Sequence, residues 1–306
     1  MAGLSFITSH TKAYAEKLDC GSGSVVVVRG VVVYEPIVCD GGGKRTLNSI
    51  SGREIKINMD MGGGSKEAAV TVTGQGTNIT IMKKLKVTGS KGSGLPVIKV
   101  EKGGKLTLNE EVDVKGATIK KEIVVDGAGS SVTLKGVLKG FERGEVKVSN
   151  EGMVVLGKGV EGIEEVKVKI NDGGTVRLMR NMTFNNGTEA GIKIEGSGGN
   201  ASVIGVGSGK TVTMTVKGTR ADGIQMDGTG KASVVMLKIV GTGSGKGVDM
   251  QNETGTMTLN MVNVSGFRVG VNAKSGKVNI NGDSTITVAN SGTGIMVSGS
   301  GATVKM

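Results

Sequence analysis

The stretch that decides the fold lies in the middle of the chain, where residues 145–178 read EVKVSNEGMVVLGKGVEGIEEVKVKINDGGTVRL. Within it, Val146-Lys147-Val148 is followed by Met153-Val154-Val155-Leu156. The same pair of segments then returns as Val166-Lys167-Val168 and Thr175-Val176-Arg177-Leu178. Apolar and polar residues alternate in each segment, which is the pattern of a β-strand with one buried face. The return of the pair predicts that one structural unit is repeated along the chain.

The repeat extends over most of the sequence, at steps of roughly 22–26 residues with one longer step of about 32. Later copies of the first segment include Ile192-Lys193-Ile194 and Val248-Asp249-Met250, and a third, less regular segment completes each unit. Gly pairs such as Gly103-Gly104, Gly173-Gly174 and Gly198-Gly199 separate the segments, where backbone corners need positive φ. Three short strands per unit predict an all-β chain, a right-handed parallel β-helix of about ten coils. The hand is inferred from the length and irregularity of the coils.

The composition agrees with such a solenoid and excludes other classes. Among 306 residues there are 55 Gly but only two Pro, and aromatic residues make up 2%. Collagen is excluded because it needs Gly at every third position together with abundant Pro. A disordered linker is excluded because 37% of the chain is hydrophobic. A core built on aromatic rings is excluded by their scarcity.

Two regions are predicted. Residues 1–50 are expected to form an N-terminal segment and cap with a disulfide between Cys20 and Cys39. Such a disulfide implies an oxidising compartment. Residues 51–306 form the β-helix, whose C-terminal end is truncated in the middle of a strand, so that the chain is expected to be part of a longer one. The long step, around 205–223, is expected to add a strand or a protruding hairpin, since Lys210-Thr211-Val212-Thr213-Met214-Thr215-Val216 alternates.

No catalytic, cofactor-binding or metal-binding residues are expected. His10 is the only His in the chain. A Ser-His-acid triad would have to use it, and a zinc site formed with Cys20 and Cys39 would lack a fourth ligand. Gly207-Ser208-Gly209-Lys210-Thr211 lacks the first Gly and the helix of a phosphate-binding loop. A polysaccharide-acting enzyme stays open as an alternative, with Asp222, Asp227, Asp249 and Arg220 as the residues to inspect.

The charge of the chain favours an anionic partner. The formal net charge is +11, but the scarcity of aromatic side chains disfavours nucleic acid. No apolar run is long enough for a membrane-spanning helix. The outward Lys residues of the first strand series are expected to stack in one column with Val124, where Glu101, Glu145, Glu165 and Glu195 can pair with them laterally. The candidate receptor-binding or polyanion-binding residues are Lys83, Lys84, Lys86, Lys99, Lys120, Lys121, Lys135, Lys139, Arg143, Lys147, Lys167 and Lys193.

The early Cys20, the element Val38-Cys39-Asp40-Gly41 and the Gly-rich coils together resemble the passenger domains of type V autotransporters, most nearly those of Bartonella. The resemblance implies a secreted or bacterial cell-surface protein whose precursor carries a C-terminal translocator barrel. It also implies a non-enzymatic virulence factor that binds a host endothelial cell-surface receptor, of the vascular endothelial growth factor receptor 2 type, and promotes proliferation and angiogenesis. The alternatives are an adhesin for extracellular matrix or for a glycosaminoglycan such as heparan sulfate, and the polysaccharide-acting enzyme.

Overall fold

The protein is a parallel β-solenoid in which each coil contributes one strand to each of three faces. The structure is a computed structural model that describes residues 26–28, 33–49, 53–61, 66–157, 162–164, 166–185, 187–206 and 211–306. Within these residues there are 32 strands and no helix, and the strand pairings are all parallel. The β-helix of about ten coils predicted from the repeat is confirmed.

The first face is a continuous sheet of 11 strands, each hydrogen-bonded to the equivalent strand of the next coil. Its strands are β3 (Ile37–Cys39), β6 (Val70–Thr73), β9 (Pro96–Glu101), β12 (Lys120–Asp126), β15 (Glu145–Ser149), β18 (Lys167–Asn171), β21 (Ile192–Glu195), β24 (Ile224–Met226), β26 (Lys246–Met250), β28 (Val269–Ala273) and β31 (Thr293–Val297).

The second face follows the first in chain order. Its strands are β1 (Val26–Val28), β4 (Lys44–Ser49), β7 (Asn78–Ile81), β10 (Lys105–Leu108), β13 (Ser131–Leu134), β16 (Met153–Leu156), β19 (Thr175–Leu178), β22 (Asn200–Gly205), the first parts of β25 (Lys231–Gly241) and β27 (Thr256–Ser265), then β29 (Lys277–Asn281) and β32 (Thr303–Lys305).

The third face is built in two ladders. The first contains β2 (Val33–Tyr34), β5 (Ile55–Asn58), β8 (Leu85–Gly89), β11 (Val112–Ala117) and β14 (Leu138–Lys139). The second contains β17 (Gly162–Glu164), β20 (Met182–Asn185), β23 (Val212–Lys217), the last parts of β25 and β27, and β30 (Thr285–Thr287). The alternating segment predicted near the long step is β23, which pairs with β20 and β25 as a regular part of the third face.

The core consists of apolar side chains stacked in register from coil to coil. On the first face one buried column holds a β-branched residue in nine successive strands, namely Val70, Ile98, Ile123, Val146, Val168, Ile192, Ile224, Val248 and Val271. Parallel strands lie about 4.8 Å apart, so each of these side chains packs on the one before it. Burying one such side chain contributes roughly 1.5–3 kcal/mol, which makes the column a main source of stability.

The corners show why Gly is so abundant. In the predicted pairs, Gly103 and Gly173 both have φ near +85° and Gly199 has φ of +74°. At Gly174 the limit is space, because a Cβ atom would lie 2.5 Å from the carbonyl oxygen of Val148 in the preceding coil. Only Gly satisfies either requirement without strain, so the prediction is confirmed at these corners; at Gly198 neither requirement applies.

Candidate functional site

A column of Lys side chains runs along the outside of the first face. In register, Lys147 of β15 is followed by Lys169 of β18 and Lys193 of β21, and Val124 of β12 joins Lys147 to Lys99 of β9. The predicted column is therefore present, but its β18 member was assigned wrongly. Lys167 lies beside Glu145 of β15 instead, because the segment in register with Val146-Lys147-Val148 is Val168-Lys169-Ile170, two residues later than the motif suggested.

These Lys side chains pair with carboxylates, and together with them they form what we call the charge ladder. Within strands, Lys99 pairs with Glu101 at 2.9 Å and Lys193 pairs with Glu195 at 2.7 Å, as predicted. Predicted Glu165 lies outside the described residues. Between coils the pairs that link the ladder are Lys147–Glu122, Lys169–Glu145, Lys169–Glu195 and Lys193–Asp227.

In the middle of the charge ladder, ion pairs connect Lys147 to both Glu122 and Glu145. Glu122 is only 4% exposed and contacts both Lys147 and Lys120. Hydrogen bonds to Glu122 and then to Glu145 raise the pKa of Lys147. Burial acts to raise the pKa of Glu145, but the bonds from Lys169 and Lys147 outweigh it and lower the pKa overall. Both shifts favour the charged forms of Lys147 and Glu145.

A second set of ion pairs occupies the third face. Lys84 contacts Glu111 at 2.8 Å and Asp113 at 3.2 Å, and its hydrogen bond to Glu111 is the main reason that its pKa is raised.

The other predicted cations that are paired contact one carboxylate each: Lys83–Glu110, Lys86–Glu54, Lys120–Glu122, Lys121–Glu142, Lys139–Glu111 and Lys167–Glu189. Arg143 also has an interaction partner. Most of the predicted basic residues therefore stabilise the rod's own surface.

One group of cations is less engaged and surrounds exposed apolar surface. We call Lys115, Lys135, Val137 and Lys139 the basic corner. All three Lys side chains are exposed, and Val137 is 46% exposed. Lys115 and Lys135 form no ion pair with the described residues, and Lys139 pairs with Glu111 at 3.8 Å and lies in register with Asp113. A Cβ atom on Gly140, next to Lys139, would touch the backbone of Lys115, so the two coils bring these residues together.

The acidic residues singled out in the sequence also meet. Asp249 of β26 lies in register with Gln225 of β24 and Asn272 of β28, as its predicted outward position requires. Its Oδ1 accepts from Asn272 at 2.7 Å, and its Oδ2 accepts from Lys246 at 2.6 Å and from Gln251 at 2.5 Å. Asp249 is 1% exposed, so its carboxylate is enclosed by its own partners.

Asp222, just before β24, completes this group, which we call the carboxylate clamp and define as Asp222, Asp249, Lys246, Gln251 and Asn272. The Asp222 side chain lies near that of Asp249, and its Oδ1 accepts from the backbone N–H of Lys246 at 2.7 Å. Burial, together with the negative charge of Asp249, raises the pKa of Asp222 to about 6. Asp227, in contrast, belongs to the charge ladder.

Turns next to the carboxylate clamp border an open cavity of about 450 Å³. It is lined by Gly218, Thr219, Thr242, Gly243 and Ser244. The Ser244 hydroxyl donates to the carbonyl oxygen of Thr219 at 2.7 Å, which ties two successive coils together. The lining offers hydroxyl and backbone groups, but none of its residues has an ionisable side chain that could act as a general acid or base.

The remaining predicted sites concern Cys and metal ligands. Cys39 is buried in β3 and disulfide-bonded, while its predicted partner Cys20, like His10 and residues 207–210, lies outside the described residues. In the described part of the chain, no three His, Cys, Asp or Glu side chains come together where they could hold a metal ion. No helix there is long and apolar enough to cross a membrane. Compared with family models, curated proteins and solved structures, the chain matches none of them.

Proposed function

We propose that this protein is the exported rod of a type V autotransporter and that it acts by binding, without catalysis, to a host endothelial cell-surface receptor of the vascular endothelial growth factor receptor 2 type. Binding would promote endothelial proliferation. The solenoid supports a binding role because its stacked apolar core leaves the outward side chains of each coil available to form a surface. The observation that carries the proposal is the basic corner, where Val137 lies exposed among Lys115, Lys135 and Lys139.

The basic corner has the composition of a small protein-recognition surface. Interfaces combine an apolar centre, which loses water on binding, with a polar rim that sets orientation and partner choice. Val137 and the half-buried Leu138 supply apolar surface, and the cations around them favour an acidic patch on the partner. The charge ladder suits this role less well, because its Lys side chains already hold carboxylates.

The carboxylate clamp supports a non-catalytic role. A polysaccharide-acting enzyme needs an acid and a base that can reach the substrate. Asp249 is fully enclosed by Lys246, Gln251 and Asn272, so only Asp222 retains a partly open side. The arrangement fits a structural contact better than a reaction centre.

The test compares two charge reversals of equal size. Lys135→Glu/Lys139→Glu alters the basic corner, whereas Lys231→Glu/Lys277→Glu makes the same charge change at exposed positions that begin β25 and β29. Binding to the receptor ectodomain is measured by surface plasmon resonance, and receptor phosphorylation is measured on endothelial cells. The first variant should lose at least tenfold in affinity and the second should bind like the parent. Equal losses would show that only net charge matters, and no binding by the parent would refute the receptor proposal.

An adhesin for heparan sulfate is the alternative that this experiment also addresses. Binding to a polyanion depends on many cations and weakens steeply as salt rises, because surface charges are screened within about 8–10 Å at physiological ionic strength. A receptor site that buries Val137 should keep most of its affinity at high salt. Retention on a heparin column that disappears with moderate salt, together with no receptor binding, would favour the adhesin.

A further inference from the structure

We propose that the carboxylate clamp is a proton-operated contact that tightens the C-terminal coils of the rod as the pH falls from neutral to mildly acidic. The idea is independent of which receptor or matrix the rod binds. It concerns how the stability of the rod responds to its surroundings, and it rests on the geometry of Asp222, Asp249 and Lys246.

The clamp joins three successive coils through side chains. Asp222 lies in the coil of β24, Asp249 in that of β26, and Asn272 in that of β28. Asp249 accepts from Asn272 on one side and contacts Asp222 on the other. Strengthening the Asp222–Asp249 contact therefore strengthens the stacking of all three coils.

The charges around Asp222 make that contact sensitive to protons. The charged groups that face it are the Asp249 carboxylate and the Lys246 ammonium, both on β26. From the preceding coil it meets uncharged Gly191, whose N–H donates to the Asp222 carbonyl oxygen, and Asn272 beyond Asp249 is also uncharged. Two carboxylates thus share one ammonium group, and that ammonium is bound to Asp249 at 2.6 Å. When Asp222 is ionised, it is the carboxylate left without a cationic partner of its own.

Protonation removes this conflict. The proton on Asp222 lets its carboxyl group donate a hydrogen bond to the Asp249 carboxylate, and such charge-assisted bonds are short and strong. Burial and Asp249 raise the pKa of Asp222 to about 6, from 3.8 for a free Asp. The folded protein therefore binds this proton more tightly than the unfolded chain does, and folding becomes more favourable as pH falls through this window.

The size of the effect follows from those two pKa values. Between pH 7.5 and pH 5.0, the folding equilibrium constant should rise about tenfold on account of Asp222 alone. The lower limit of the window is chosen to avoid other groups. Asp60, Asp113, Glu142 and Glu145 all have lowered pKa values, so their protonation destabilises the fold only at more acidic pH.

Urea denaturation at pH 7.5 and 5.0, followed by circular dichroism, tests the proposal on three proteins: the parent, Asp222→Asn and Asp283→Asn. The Asn side chain keeps the shape of Asp222 but carries no titrating proton, while Asp283 is an exposed residue far along the chain. The parent and Asp283→Asn should share the tenfold gain at pH 5.0, and Asp222→Asn should lack it. An equal gain in Asp222→Asn, or no gain in the parent, would overturn the proposal.

A spectroscopic measurement makes the assignment independent of folding energetics. Infrared difference spectra between pH 7.5 and 5.0 report the carbonyl stretch of a newly protonated carboxyl group. This band should appear in the folded parent and should be reduced by one carboxyl group in Asp222→Asn. An identical band in both proteins would place the proton elsewhere and would also overturn the proposal.

Discussion

Replacing Lys147 with Met should destabilise the rod by about 2 kcal/mol, because it removes the central cation of the charge ladder. Hydrogen bonds to charged groups contribute about 1.5–3 kcal/mol when a buried partner is left unsatisfied, and exposed pairs about 0–1 kcal/mol. Lys147 contacts nearly buried Glu122 and, at 3.2 Å, Glu145. The loss is moderated because Glu122 keeps Lys120 and Glu145 keeps Lys169. The Met side chain preserves the packing of the aliphatic stem.

The assay is urea denaturation at pH 7, with two companion variants. Lys167→Met removes one pair, to Glu189, in which both side chains are about half exposed, so its effect should stay within about 0.5 kcal/mol. The double variant Glu122→Gln/Lys147→Met leaves no uncompensated carboxylate at position 122 and should regain at least half of the loss. If Lys147→Met and Lys167→Met behave alike, or if the double variant is no more stable than Lys147→Met, the ladder does not stabilise the fold as argued.

Two further predictions concern packing and exposure. Gly241→Ala places a Cβ atom 2.5 Å from a ring carbon of buried Phe267, so it should lower the free energy of unfolding by about 1–3 kcal/mol. Gly294→Ala is the control, because a Cβ atom there meets nothing within 4 Å and should leave stability unchanged. Equal melting temperatures of the two variants in thermal denaturation would contradict this. Hydrogen peroxide should oxidise Met236, which is 41% exposed at a corner with φ of +52°, well before fully buried Met250; peptide mass spectrometry showing equal oxidation would mean that the coil opens on the timescale of the reaction.

The strand ladders could be predicted from the sequence because each coil repeats the same local sequence pattern. Alternation with period 2 defines a buried face, and β-branched side chains fit that face. Gly residues such as Gly103 and Gly173 then mark corners that other residues cannot adopt without strain. None of these signals depends on residues far apart in the chain, and the β-helix predicted from them is confirmed.

The site could be predicted less well, because it depends on register between coils. In the run from Val166 to Ile170, both Lys167 and Lys169 point outward, and only pairing with β15 shows which of them joins the column. A shift of register changes every outward neighbour of a strand. The contacts of Lys147 with Glu122 and of Asp222 with Asp249 likewise join different coils, so no local sequence pattern predicts them.

The first face therefore changes its electrostatic character along the rod. From β15 to β21 its central column holds Lys147, Lys169 and Lys193 next to carboxylates, and the lowered pKa of Glu145 and the raised pKa of Lys147 favour the charged forms there. From β24 onward the same column holds Gln225, Asp249 and Asn272, and the nearby cation Lys246 is shared by two carboxylates. Hydrogen exchange should consequently show pH-dependent protection, after correction for intrinsic rates, in β24, β26 and β28 but not in β15 and β18. Solenoids allow this separation because each coil is stabilised mainly by its immediate neighbours. A pH response spread evenly over the rod would mean that the coils unfold as one unit and that Asp222 acts on all of them.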